Sequence, residues 1–227
     1  MTDLTKRPLG DSGLEISPLV FGGNVFGWTA DQPTSFALLD AFVDAGFDAI
    51  DTADAYSRWV RGHEGGESET VIGEWLKARG RRDDVRIFTK VGSDMGQGRK
   101  DLSSAWIETA VEASLRRLQT DYIDLYQTHW PDPETPQEET LRALDRLVQA
   151  GKVRAIGVSN HDAAQVRQAL DISAREGLAA YASIQPHYNL YSRDTFEGAL
   201  QDLAVERGLG VITYFSLESG FLTGKYK

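Results

Sequence analysis

The sequence predicts an α/β fold: a parallel sheet curled into a (β/α)₈ barrel whose eighth βα unit is absent. Three observations predict it. Short β-branched runs alternate with helical segments, at roughly 30 residues per unit. The runs are nearly continuous in apolar residues (VITYF, AIGVS, YIDLY), as strands buried on both faces of a parallel sheet must be. The first βα turn reads Gly22-Gly23-Asn24 and then Gly27, which is not the G-x-G-x-x-G of an open dinucleotide-binding sheet, so the barrel is favoured over the doubly wound alternative.

Taken in order, the strands are expected at Ile16 to Phe21, Phe47 to Asp51, Val85 to Val91, Tyr122 to His129, Val153 to Ser159, Tyr181 to Gln185 and Gly210 to Tyr214. Phe36, Leu39, Phe42 and Val43 share one helical face, with Pro33 near its start and Gly46 just past its end. Val71, Ile72, Trp75 and Leu76 suit a shorter helix, and Ile107, Val111, Leu115 and Leu118 a longer one. Leu141, Leu144, Leu147 and Val148 form the next, closed by Gly151. Val166, Ala169, Leu170 and Ile172 follow, and Phe196, Leu200, Leu203 and Ala204 make the last, before Gly208. No linker or low-complexity segment interrupts the pattern, so residues 1–227 read as one domain, incomplete at its C-terminal side.

Composition narrows the function. The 34 acidic residues outnumber the 24 basic ones, giving net −10, and no Lys/Arg cluster of the kind that holds phosphate backbones stands free of acids. No apolar stretch approaches the roughly 20 residues of a membrane span, and the N-terminus carries no signal-peptide core, so a cytoplasmic protein is expected. The chain has no cysteine, which excludes thiol catalysis and thiolate metal sites. No metal-ligand cluster is expected, and the oligomeric state is left open.

Barrel chemistry sits at the C-terminal ends of the strands. Those ends carry Asp51, Lys90, His129, Ser159 with Asn160, Gln185 and Tyr214, and Tyr56 lies five residues past Asp51. Alone, each has an ordinary reading; Ser159-Asn160, for one, looks like a helix N-cap. Together they converge on one mouth. A tyrosine is a poor acid at neutral pH unless a nearby cation favours its phenolate. Lys90 supplies that cation, Asp51 holds Lys90 charged, and His129 orients the carbonyl oxygen that Tyr56 protonates.

At these residues the chain resembles the aldo-keto reductases, in particular bacterial members similar to potassium-channel β-subunits. The resemblance runs through RPLGDSGLEIS, Asp51-Thr52-Ala53-Asp54-Ala55-Tyr56, Ser68-Glu69, Lys90-Val91, Asp121 to Gln127, His129, Gly151 to Arg154, Ile156 to Asn160, Gln185, Tyr188 to Leu190, Tyr214 and Gly220 to Tyr226. It implies that the N-terminal segment is a β-hairpin plugging the barrel bottom. It also implies an oxidoreductase that moves hydride between NADPH, with NADH open, and a small aldehyde, ketone or alcohol. Asp51, Tyr56, Lys90 and His129 match the catalytic tetrad, with Tyr56 as general acid. Gly23, Asn24, Asp51, Ser159, Asn160, Gln185, Tyr214, Ser216, Leu217, Ser219, Gly220 and Leu222 match cofactor positions, Tyr214 stacking on the nicotinamide. Trp28, Trp59 and Trp130, with Tyr56 and His129, are candidates for the substrate wall; His63, in the Arg58–Gly66 insertion, is expected to be a solvated loop residue.

Two other readings stay open. Lys90 at a strand end is also what a Schiff-base aldolase uses, although Asp51 would keep it charged. A nicotinamide-binding, redox-sensing subunit with little turnover is the other.

Overall fold

The computed structural model describes residues 4–226. A short antiparallel hairpin, β1 (Arg7–Pro8) with β2 (Glu15–Ile16), precedes a seven-stranded parallel sheet. The sheet runs in sequence order through β3 (Val20–Gly22), β4 (Ala49–Asp51), β5 (Arg86–Val91), β6 (Ile123–Thr128), β7 (Val153–Ser159), β8 (Tyr181–Gln185) and β9 (Gly210–Val211). Between them lie α1 (Gln32–Asp44), α2 (Glu67–Arg79), α3 (Ser104–Leu118), α4 (Gln137–Gln149), α5 (Ala163–Glu176) and α6 (Ala199–Arg207). Among the described residues no helix is long and apolar enough to cross a membrane.

The helix boundaries follow local chemistry. Asp31 caps α1 by accepting from the Thr34 amide, with Pro33 in the first turn where its missing N–H costs nothing. Asp162 and Gln165 form a reciprocal capping box at the start of α5, which ends at Gly177 in the left-handed region. The cap of α5 is therefore Asp162, not Ser159-Asn160, because a side chain capping a helix must sit just before its first turn.

Strand periodicity sorts the sheet into two faces. Ile50, Ile87, Tyr126, Ile156 and Ile184 point outward into the large core shared with the helices. Ala49, Phe88, Leu125, Ala155 and Ile212 point inward and pack on Leu9, Leu14 and Ile16 of the hairpin. The hairpin thus floors the inner face. Gly10 makes this seating possible: a Cβ there would lie 2.2 Å from the Ala182 carbonyl oxygen and 2.6 Å from the Gly210 nitrogen.

Two sequence expectations are corrected. Ile16 to Phe21 is not one strand: Pro18, which has no N–H to donate, separates β2 from β3, and Ser17 turns aside to bond Asp48 through both its amide and its hydroxyl at 2.9 Å. The last strand is only Gly210–Val211, and Tyr214 joins the sheet through a separate bridge to His187. The sheet is also an open, curled arc among the described residues. Its edge strands β3 and β9 both line a cavity of about 270 Å³ above the hairpin.

Gly73 gives a test of the helix packing. It lies within α2, where alanine would ordinarily gain up to about 1 kcal/mol of helix propensity. A Cβ there would sit 2.0 Å from the Arg117 carbonyl oxygen of α3. Gly73→Ala is expected to lower stability by roughly 1–3 kcal/mol in urea denaturation; a gain would show that α2 and α3 do not pack this closely.

Candidate active site

The inward positions turn polar one layer above the apolar floor. Two residues along from Ala49, Phe88 and Leu125 come Asp51, Lys90 and Gln127, four along from Ala155 comes Ser159, and Gln185 ends β8 two residues past the buried Ser183. Parallel register aligns them: Lys90 opposes Gln127, Gln127 opposes Gly157, and Ser159 opposes Gln185.

Lys90 is fully buried, and its ammonium donates to three oxygens. These are Asp51 Oδ2 at 2.6 Å, the Thr52 carbonyl at 2.8 Å and the Tyr56 hydroxyl at 3.0 Å. The other oxygen of Asp51 accepts from Gln185 Nε2 at 3.0 Å and Gln127 Nε2 at 3.2 Å. Burial works against the charge on Lys90, but Asp51 and then Tyr56 outweigh it, so the lysine titrates above its ordinary value. Burial also raises the Tyr56 phenol, with Lys90 opposing, and the net direction is upward. The sequence argument that the cation lowers this phenol names only the smaller effect: desolvation wins, and Tyr56 holds its proton at neutral pH.

His129 begins the loop after β6, and its amide donates to the Val91 carbonyl at 2.7 Å. Its Nδ1 lies 3.0 Å from the Ser93 hydroxyl. Burial, reinforced by Lys90 and Lys100, drives its pKa well below the ordinary range, so the imidazole is neutral. Its ring stands 6.0 Å from that of Tyr56.

A cavity of about 360 Å³ opens over this set, a size typical of small-molecule sites. Asp51, Tyr56, His129, Trp130, Asn24, Ser159, Asn160, Gln185, Tyr214 and Ser216 all line it. Asn160 is held at φ +57°, a left-handed backbone uncommon outside glycine and enriched at functional sites. Its Oδ1 accepts from the Tyr214 hydroxyl at 2.8 Å, and its amide nitrogen donates to the His129 carbonyl at 2.9 Å. Gly23 does not line the cavity; its amide donates to the Asp51 carbonyl at 2.7 Å. Leu217, Ser219, Gly220 and Leu222 stand apart, on the 3₁₀ turn Glu218–Thr223 and the residue before it, and do not line the cavity.

An aromatic band runs along the mouth. Trp28 meets Trp59 at 5.4 Å, Trp59 meets Tyr56 at 6.1 Å, and His129 stacks on Trp130 at 5.8 Å. All three tryptophans are exposed, Trp59 by 54%. His63 corrects the sequence reading: its side chain is only 25% exposed, near Glu67, because the Gly65-Gly66 turn brings the insertion back onto α2.

Sequence reasoning missed Gln127 and Ser93. Gln127 was within reach, since period two puts it on the same inner face as His129. Ser93 had no signal, being an ordinary loop serine three residues past Lys90. Asp54 was passed over as well. It is buried, and neither carboxylate oxygen has a hydrogen-bond partner among the described residues.

The fold and the site define a class: an α/β protein with a buried Lys–Asp–Tyr cluster at the carboxyl ends of a curled parallel sheet. The model of the aldo/keto reductase family matches residues 18–227. The chain is 40% identical over 224 residues to Aldo-keto reductase YhdN of Bacillus subtilis, covering 96% of this chain and 63% of that protein. It is 38% identical over 223 residues to a probable voltage-gated potassium channel subunit beta of Oryza sativa, covering 97% and 66%. Uncharacterized oxidoreductase YrpG of Bacillus subtilis is 37% identical over 224 residues, covering 96% and 68%. The chain belongs to the aldo/keto reductase family, and it spans about two thirds of the length of these relatives.

Asp54 yields a pH prediction. Burial first, then Glu69, raises its carboxyl well above the ordinary value, against Arg117 and Lys90. The folded state therefore holds a proton that the unfolded chain releases above about pH 4. Stability contributed by that proton is complete below this value and lost as pH rises through the folded pKa. Asp54→Asn, which needs no proton, is expected to melt higher than the parent at pH 7 and to converge with it near pH 4. A parallel pair of pH–stability curves would show that Asp54 is ionised in the fold.

Proposed function

We propose that this protein is an NAD(P)H-dependent oxidoreductase that interconverts a small aldehyde or ketone and its alcohol. In this reading residues 1–227 form a single domain, the seven strands are an arc of a (β/α)₈ barrel, and the protein works in the cytoplasm. The observation that carries it is the Lys90 ammonium, bonded at once to Asp51 and to the Tyr56 hydroxyl under a cavity that also holds neutral His129.

The cavity residues suit a nicotinamide. Ser159, Asn160 and Gln185 present a hydroxyl and two amides, the groups that recognise a carboxamide, and Tyr214 offers a ring to stack on. Asn24 and Ser216 extend the polar lining; Gly23 ties the first loop to the Asp51 backbone, and Leu217, Ser219, Gly220 and Leu222 would flank the cofactor's phosphates. Bound there, the cofactor supplies or accepts the hydride. NADPH is the form proposed.

The protein's own residues manage the proton. In reduction, Tyr56 gives its hydroxyl proton to the carbonyl oxygen of the substrate as the carbon gains hydride. The phenolate left behind is stabilised by Lys90, whose charge Asp51 secures. His129, with Nδ1 engaged by Ser93, orients the carbonyl through its other nitrogen. Trp28, Trp59 and Trp130 provide an apolar wall. A Schiff-base role for Lys90 fits poorly, since three acceptors hold its amine as a buried ammonium with no lone pair to attack.

Tyr56→Phe tests the assignment. Carbonyl-dependent oxidation of NADPH is expected to fall by roughly 10²–10⁴-fold, the usual worth of a general acid, while NADPH binding followed by tryptophan fluorescence persists. Retained turnover would remove Tyr56 from the acid role; loss of binding would assign it to cofactor retention.

A further inference from the structure

The aromatic band at the mouth ends on a cation. Lys100 Nζ rides 4.5 Å from the centroid of the Trp130 ring, the same ring that stacks on His129 and lines the catalytic cavity. Its neighbour Arg99 faces three carboxylates, Asp101 at 2.9 Å, Glu134 at 3.2 Å and Asp132 at 3.9 Å. Lys100 has no carboxylate within ion-pairing distance among the described residues. In a chain whose acids outnumber its bases by 34 to 24, an exposed lysine beside the site and beside an arginine already saturated with acids keeps its charge free.

Lys100 also lines a second cavity, of about 500 Å³, with Pro131 and His161. His161 lines in turn the cavity that Trp130 and Tyr214 share on the near side. The ammonium itself does not line the catalytic cavity; it sits beside it, over the Trp130 ring that does. Its charge is felt at both His129 and His161, where it helps hold the imidazoles neutral.

Resting on the reductase reading above, we propose that Lys100 is a specificity-determining residue that recognises an anionic group on the substrate. The substrate class is then a carbonyl compound with an apolar, ring-sized body and a carboxylate or similar anion on the side remote from the reacting carbon. The body lies along Trp130 while the carbonyl reaches Tyr56 and His129.

The test compares two aldehydes of nearly equal shape, 4-carboxybenzaldehyde and the uncharged 4-carbamoylbenzaldehyde. The wild-type protein is expected to show kcat/KM at least about tenfold higher for the acid, a preference that shrinks as ionic strength rises. Lys100→Met, which keeps the stem over Trp130 and removes the charge, is expected to bring the two values together; Lys100→Arg is expected to keep them apart. Equal kcat/KM for both aldehydes in wild type would overturn the proposal. So would an equal loss on both in Lys100→Met, which would make Lys100 a prop for Trp130. If wild type consumes neither aldehyde, terephthalate titrated against tryptophan fluorescence decides the anion site by itself, and the reductase reading is left to the Tyr56→Phe test. Tighter binding to wild type than to Lys100→Met upholds that site, and equal binding sinks it.

Discussion

A lysine buried without water is tolerated only where its charge is met at close range, and the site is organised around that demand. Desolvating an ion costs several kcal/mol, and an unmet one would neutralise or unfold its surroundings. Lys90 meets it by spending every N–H on Asp51, Thr52 and Tyr56. Asp51 has the complementary need, satisfied by Gln127 and Gln185 reaching from β6 and β8. Four strands must hold register for this cluster to exist, so sheet geometry and site geometry are one constraint.

The layer beneath makes the constraint rigid. Phe88, Leu125, Ala155 and Ile212 press on Leu9, Leu14 and Ile16, leaving the polar layer seated on a dry floor. In such surroundings hydrogen bonds are strengthened and misplacement is costly, because a displaced donor finds no water. The same dryness raises the Tyr56 phenol and depresses His129, leaving one group that carries a proton at neutral pH and one that is uncharged.

Much of this was legible in the sequence. The alternation gave every helix, and Asp51, Ser159 and Gln185 do end their strands, with Lys90 one residue earlier and His129 one residue later. Pro18 hid the true start of β3, because an apolar run reads as a strand even when one residue breaks the ladder. Asp162 took the capping role from Ser159-Asn160 because α5 begins at Ala163, and where a helix begins is set by backbone geometry that the residue types alone leave open. Ser93 and the solitude of Lys100 were invisible, since both depend on which loops fold toward each other. The direction of the Tyr56 shift escaped for a related reason: charge can be counted along a chain, whereas dehydration is a property of the packed interior.

The seating of the hairpin has a consequence for how the chain acquires its structure. Leu9 shares a cluster with Ile212, and Gly10 lies against the backbone of residues 182, 208 and 210. The hairpin therefore waits for a segment far downstream in the chain before it can dock. Closing a loop of that length carries a large entropic cost, and contacts so distant in sequence slow folding. During that interval the inner apolar layer stands open from below, and the curled sheet is a vessel without a base.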